Sequence, residues 1–214
     1  LRRCWRSFRK MAEMIHLPRS TFERLKMYRK VLEATKKPYI SSDEIARFLE
    51  INPDLVRKDF SYLKCQGKPR VGYDVEELRK ELDDLFGVNN TTNMIIVGAN
   101  DLARALLSLD FSKAGVKVVA VFDTEKENVG KFIGEFAVRE LDVLERVIRR
   151  FDAEIAALCV SKDRAQATAR FLIEKGIKAV WNFTGVHLDL PEGAIVVDED
   201  LTQSLLTIKH LLKK

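Results

Sequence analysis

Gly98, Ala99, Asn100, Asp101, Leu102 and Ala103 follow directly on the apolar run 93–97 (NMIIV) and open a stretch with helical spacing. A strand, a glycine turn and a helix start, in that order, form a place where backbone N–H groups and the helix dipole can meet a pyrophosphate. Asp123 stands 25 residues after Gly98, at the end of the next apolar run, 116–122. A carboxylate there can accept hydrogen bonds from an adenosine ribose. The glycine pattern is incomplete. A full G-x-G-x-x-G would have glycines at 98, 100 and 103, and this chain has Gly98, Asn100 and Ala103. Alanine at the third place still packs helix against strand, whereas Asn100 puts a side chain where the backbone should approach the phosphates. The strand–turn–helix setting and Asp123 carry the signal, more than the glycines do.

A second group of residues faces a different chemistry. Arg57, Lys58 and Ser61 project from the outer side of a short amphipathic helix, and residues 67–73 (GKPRVGY) add further cations among turn residues. Clustered cations near phosphates gain from counterion release, so this group points to a nucleic acid. Other chemistries find little material. The three cysteines, Cys4, Cys65 and Cys159, are far apart and form no CxxC, so no disulfide framework and no metal site are expected, and reduced thiols suit a cytoplasmic protein. Ser161, His187 and Asp200 are the polar candidates for proton transfer beside a nicotinamide, and they form no catalytic constellation. A binding protein is expected rather than an enzyme, with an NAD-dependent oxidoreductase as the rival class.

The elements that must position these residues follow from the spacing. Residues 21–35 read as a helix with Phe22, Leu25, Val31 and Leu32 on one side, capped by Ser20 or Thr21. Residues 41–49 open with Ser41 and carry Glu44 three places later, a capping box, followed by the stripe Ile45, Phe48, Leu49. Asn52 and Pro53 start a helix over 54–63 with Leu55, Val56, Phe60 and Leu63 inward. A ribbon over 67–73 and a helix over 75–86, ending at Gly87, complete the first half. Three helices with a short turn before the third, then a basic ribbon, describe a winged helix-turn-helix; the plain alternative is a small helix bundle. In the second half, strands over 93–97, 116–122, 153–160, 179–183 and 195–197 alternate with helices over 102–109, 141–151 and 165–175. That grammar gives a Rossmann-like, doubly wound parallel sheet, so the chain is α/β overall. Residues 201–212 form an amphipathic helix whose Leu205, Leu206, Ile208, Leu211 and Leu212 exceed what a monomer's tail needs, and a two-fold dimer is expected.

The charge divides at the same place. The 214 residues carry a net +5, but residues 1–72 hold +10 and residues 73–214 hold −5. No apolar run reaches the roughly 18 residues that cross a bilayer. Residues 1–15 (LRRCWRSFRKMAEMI) are basic and lack the apolar core of a secretory signal; either Met11 or Met14 is the natural beginning, or the stretch is an amphipathic arm. The expected organisation is an extension over 1–16, a DNA-binding domain over 17–88, a nucleotide-binding domain over 89–199 and a dimerisation helix over 200–214.

The runs ISSDEIARFLEINPDLVRKDFSYL, GKPRVGYDV, VGANDLARAL, FDTEKENVG and GIKAVWNFTGVHLDLPEGAIVVDEDL occur in this order. Together they resemble the Rex family of redox-sensing transcriptional repressors over about residues 17–212. The resemblance implies a homodimer that binds a palindromic operator on double-stranded DNA, senses the NADH/NAD+ ratio and leaves DNA when NADH binds. By position it implies that Arg57, Lys58, Ser61 and Tyr62 lie on the recognition helix and Lys68, Arg70 and Tyr73 in the wing. It places Gly98, Ala99, Asn100, Asp101, Leu102, Ala103 and Asp123 at the dinucleotide, Val160, Ser161, Asn182 and Phe183 near its nicotinamide end, and Asp200 at the subunit interface. The chain departs from the family at Asn100 and Ala103, where glycines are usual, at Leu109, where an aromatic residue is usual, and at Ser161, where proline is usual. These departures leave a ligand-blind DNA-binding regulator as the alternative.

Overall fold

The computed structural model describes residues 17–200 and 202–213. The expectations for residues 1–16, including the amphipathic arm, and for Leu201 lie outside them. The chain forms two compact units that meet at Asn89 and Asn90.

In the first unit, α1 spans Arg19–Ala34 and buries Leu25, Tyr28 and Leu32. Neither Ser20 nor Thr21 caps it. The helix begins just after Pro18, whose carbonyl accepts the Phe22 amide at 3.0 Å, and Thr21 is buried instead. The strand β1 (Tyr39–Ile40) leads into α2 (Ser42–Leu49). Here the capping box forms as expected: Ser41 Oγ accepts the Glu44 amide at 3.1 Å, and Glu44 accepts the Ser41 amide at 2.9 Å. The buried face of α2 runs through Ser42, Ile45 and Ala46, so Phe48, expected inside, is 72% exposed. The helix α3 (Pro53–Phe60) starts with Asn52 accepting the Asp54 amide and with Pro53 in its first turn. It stops at Phe60, three residues short of the expected end, and Leu55 and Leu63 are only partly buried. The strand β2 (Tyr73–Asp74) pairs antiparallel with β1, and α4 (Val75–Phe86) is capped by Asp74 and ended by Gly87.

The second unit is a seven-stranded sheet. Its strands are β3 (Thr92–Val97), β4 (Val116–Asp123), β5 (Phe132–Ile133), β6 (Phe136–Glu140), β7 (Ala153–Leu158), β8 (Ala179–Asn182) and β9 (Ile195–Asp198). The spatial order is β5-β6-β4-β3-β7-β8-β9, with every neighbouring pair parallel except β5–β6. Leaving out β5, this is the doubly wound order of a dinucleotide-binding fold, and it reverses between β3 and β7. The helices α5 (Asp101–Leu107), α6 (Leu144–Phe151) and α7 (Lys162–Glu174) join successive strands. Strand alternation explains the burial. Ile95, Val97, Ala156 and Leu158 belong to one apolar cluster, and Met94, Ile96, Ala157 and Cys159 to another. No α-helix connects β4 to β6; a single 3-10 turn (Lys126–Asn128) and the strand β5, which pairs with β6 as a hairpin turning at Gly134, take its place. The helix α8 (Gln203–Leu211) closes the described chain.

Candidate functional site

On α3, Arg57 and Lys58 face solvent in the last turn, as their spacing implied. The Arg57 guanidinium is not loose. Its Nη2 donates to Asp54 Oδ1 at 2.6 Å and its Nη1 to Ser42 Oγ at 2.9 Å, with Asp43 Oδ1 at 3.6 Å. Ser61 Oγ donates back to the Lys58 carbonyl, and Tyr62 is half-buried. In the wing, Lys68 and Gly72 form a single antiparallel bridge, and Arg70 stands at its tip with a φ of 64°. Gly72 has a φ of 103°, and a Cβ there would lie 2.4 Å from the Ile40 carbonyl oxygen, so only glycine lets the wing reach β1. Lys68 Nζ sits 5.5 Å from the Tyr39 ring centroid. Tyr73 is drawn inward: its ring packs edge-on against Phe60 at 4.8 Å, and burial pushes its hydroxyl pKa up. It is partly buried against the core of the first unit.

What fixes the angle of α3 escaped the sequence reading. Asp59 is 1% exposed. It accepts from Arg24 Nε at 2.6 Å, from Arg24 Nη2 at 2.7 Å and from the Tyr28 hydroxyl at 2.7 Å. Burial opposes its ionisation, but the hydrogen bonds from Arg24 and Tyr28 outweigh it and hold the carboxyl below its usual range. Glu81 of α4 completes the frame by accepting the backbone amides of Lys64 and Cys65 just past α3. The signal for this clamp was present: Arg24 and Tyr28 share one helix face, and an aspartate sits beside Phe60 on the inner face of α3.

In the second unit the C-terminal ends of β3, β4, β7 and β8 lie side by side, with Val97 opposite Phe122 and Leu158, and Leu158 opposite Asn182. This brings Gly98, Asp123, Val160, Ser161, Asn182 and Phe183 to one edge of the sheet, where ligands of open α/β sheets bind. Gly98 has a φ of 106°, and a Cβ there would meet the Cys159 carbonyl carbon at 2.6 Å and the Val160 amide nitrogen at 2.8 Å. Asn100 adopts an extended φ of −111°, so no left-handed backbone is required of it. Its side chain is turned into the fold: Oδ1 accepts the Ala103 amide at 3.1 Å and Nδ2 donates to the Cys159 carbonyl at 2.6 Å. The amides of Asp101 and Leu102 remain as the donors of the first helical turn.

Asp123 is buried and already busy. Its Oδ2 accepts from the Ala99 amide and Asn128 Nδ2, each at 2.8 Å, and its Oδ1 from the Glu125 amide at 2.9 Å. A carboxylate offers about four lone-pair sites, so one is left for a ribose hydroxyl. Asn182 lies at the edge but faces inward. It is 1% exposed, donates to the Val186 carbonyl and Asp198, and accepts from the amide and hydroxyl of Thr184. Its side chain shapes the 182–186 turn, which carries Phe183, and ties it to β9 through Asp198. Ser161 begins α7 without capping it. Asp200 is exposed and accepts from the amide and hydroxyl of Thr202; Leu109 is 56% exposed. Cys65 and Cys159 are buried free thiols, pushed up by burial to about 11 and about 12, so they stay protonated and unreactive near neutrality.

Residues 89–186 match the "CoA binding domain" family, and residues 16–61 match the "Putative DNA-binding protein N-terminus" family. The chain is similar to the redox-sensing transcriptional repressor Rex 2 of Thermotoga maritima, 98% identical over 204 residues, covering 95% of this chain and 100% of the relative. The chain belongs to the Rex family. Solved Rex-family structures agree in shape. The repressor RSP in complex with beta-NAD+ and operator DNA superposes with a TM-score of 0.84 at 32% identity, over 92% of this chain and 93% of that one. RSP in complex with beta-NADH gives 0.82 at the same identity, over 92% and 94%. Rex proteins are transcriptional repressors, so this chain is a repressor rather than an enzyme. The first unit is a winged helix-turn-helix rather than a plain helix bundle.

Proposed function

We propose that this chain represses transcription as a homodimer in the cytoplasm, binding a palindromic operator through α3 and the wing and releasing it when NADH occupies the β3–β7 crevice. The observation that carries the reading is Asp123: a buried carboxylate at the end of β4 with one free lone pair beside the Gly98 turn. The residues fit a dinucleotide. The Asp101 and Leu102 amides would face the pyrophosphate, Asp123 the adenosine ribose, and Val160, Ser161 and Phe183 the nicotinamide end. When bound, the nicotinamide supplies a redox state to be read. The chain's part is to hold the two forms with different affinity in its DNA-bound and released states.

Asp123 also selects the ligand. A 2′-phosphate, as in NADPH, or the 3′-phosphate of coenzyme A would meet a carboxylate rather than a hydroxyl. Calorimetry should therefore give clear heats with NADH and NAD+ and a loss of at least about tenfold in affinity, some 1.4 kcal/mol, with NADPH and coenzyme A. Equal affinity for all four, or heat with coenzyme A alone, would refute the assignment.

Arg57 and Lys58 are the residues proposed to meet DNA. Loss of a good base contact costs about 1–3 kcal/mol. Arg57→Ala should weaken binding to a duplex that the chain itself selects from a randomised pool by five- to a hundredfold or so, read by fluorescence anisotropy. Unchanged affinity would remove Arg57 from the interface.

The dimer reading rests on α8. Leu205, Leu206, Ile208, Leu211 and Leu212 are between 51% and 80% exposed, a larger apolar patch than a soluble monomer usually shows. Ending the chain at Asp200 should shift sedimentation at micromolar concentration from dimer towards monomer. A full chain that sediments as a monomer would contradict this.

A further inference from the structure

We propose that Asp54, together with Ser42 and Asp43, is a positioning group for Arg57, holding its guanidinium in one orientation so that the chain discriminates its operator from other DNA. The proposal rests on the reading that Arg57 meets DNA, and it adds a residue outside the basic face. Two elements build the cradle. Asp54 lies one turn before Arg57 on α3, and Ser42 and Asp43 open α2, so the guanidinium bridges the two helices of the motif. Arginine in isolation is a mobile side chain that can satisfy a phosphate in many geometries. Base readout requires a fixed plane.

A donor count shows that the cradle and a base can be served together. The guanidinium carries five N–H donors. Ser42 and Asp54 take two, and the three that remain exceed the two acceptors, O6 and N7, on a guanine edge. Meanwhile, Asp43 and Asp54 place negative charge beside a surface that approaches phosphates, which weakens sequence-independent binding. The fixed plane raises the ratio of operator affinity to general affinity, whereas the charge acts on all duplexes alike.

The test compares the full chain with Asp54→Ala, Asp54→Asn and Arg57→Ala on two duplexes, one selected by the chain from a randomised pool and one scrambled, by fluorescence anisotropy at two salt concentrations. Thermal unfolding checks that each variant folds. Asp54→Ala should lower the selected-to-scrambled affinity ratio by about tenfold, and Asp54→Asn, which keeps the acceptor, by less. In an Arg57→Ala background, Asp54→Ala should leave the ratio where it is, a result that a merely structural role would not produce. An unchanged ratio in Asp54→Ala while Arg57→Ala weakens binding would overturn this proposal alone. So would equal gains on both duplexes for Asp54→Ala and Asp54→Asn, which would make the carboxylate a simple repulsive charge. Unchanged binding by Arg57→Ala would overturn the interface reading and this proposal with it.

Discussion

Gly98→Ala is expected to abolish nucleotide sensing while leaving the DNA-binding unit folded. The new Cβ would fall 2.6 Å from the Cys159 carbonyl carbon, 2.7 Å from its oxygen and 2.8 Å from the Val160 nitrogen, all backbone atoms just past the end of β7. No rotamer change relieves such a contact. A φ of 106° adds strain for any L-residue, typically about 1–3 kcal/mol. The chain must move, and it moves at the worst place. The Gly98 amide bonds the Phe122 carbonyl at 2.8 Å, the next amide bonds Asp123, and Asn100 is tied to the Cys159 carbonyl. The Gly98 turn, Asp123 and the end of β7 shift together. Affinity for NADH should fall at least about a hundredfold, or 2.7 kcal/mol, by calorimetry. Operator binding should persist and ignore NADH. A variant with wild-type NADH affinity would show that the Gly98 turn is not where the dinucleotide sits.

Asp59→Ala should produce the largest loss of stability in the first unit. It strands the Arg24 guanidinium, 19% exposed, and the fully buried Tyr28 hydroxyl without their acceptor. Removing one partner of a buried ion pair costs about 3–5 kcal/mol, because the other charge stays behind. Replacing the whole group by apolar residues of similar size should return most of that stability, so the triple variant Arg24→Met, Tyr28→Phe, Asp59→Leu is expected to melt well above Asp59→Ala. The pH dependence has a definite sign. The Asp59 carboxyl is held below its ordinary value of 3.8, so its contribution is complete above that value and is lost as the pH falls through the lower folded one. In wild type the acid-side decline in melting temperature should be partly due to Asp59 and should flatten in the triple variant. Melting temperatures of Asp59→Ala equal to wild type would show that the clamp contributes nothing.

Local chemistry carried most of the fold into view. The Ser41–Glu44 box, Asn52 with Pro53, and Gly87 mark helix ends through side chains and turns that act within a few residues, and the structure uses each of them. The near-continuous apolar runs of β3, β4, β7 and β8 likewise declare a sheet buried on both faces. Elements governed by distant partners were harder to see. The hairpin β5–β6 is short and takes its order from pairing with β4, and Phe48 faces out because Ser42, Ile45 and Ala46 form the packed face of α2. The site divides in the same way. The placing of Gly98 and Asp123 together at the C-terminal edge of the sheet was legible because it is written into a strand–turn–helix spacing. The inward turn of Asn100, the full engagement of Asn182 and the clamp on Asp59 depend on residues 16 to 59 positions away, which no local pattern reveals.

On the proposed reading, one small molecule at the C-terminal ends of β3 and β7 controls the grip of α3 and the wing on DNA. The most direct test is a single titration: fluorescence anisotropy of the full chain on its selected duplex, with NADH, with NAD+ and with neither, at fixed salt. A ligand shifts the equilibrium only by its difference in affinity between the two states, and allosteric couplings run at about 1–3 kcal/mol. NADH should weaken DNA binding by about ten- to a hundredfold, with NAD+ having little effect or strengthening it. By linkage the duplex should weaken NADH binding by the same factor. A DNA affinity identical in all three conditions, with NADH binding demonstrated in the same sample, would contradict the account.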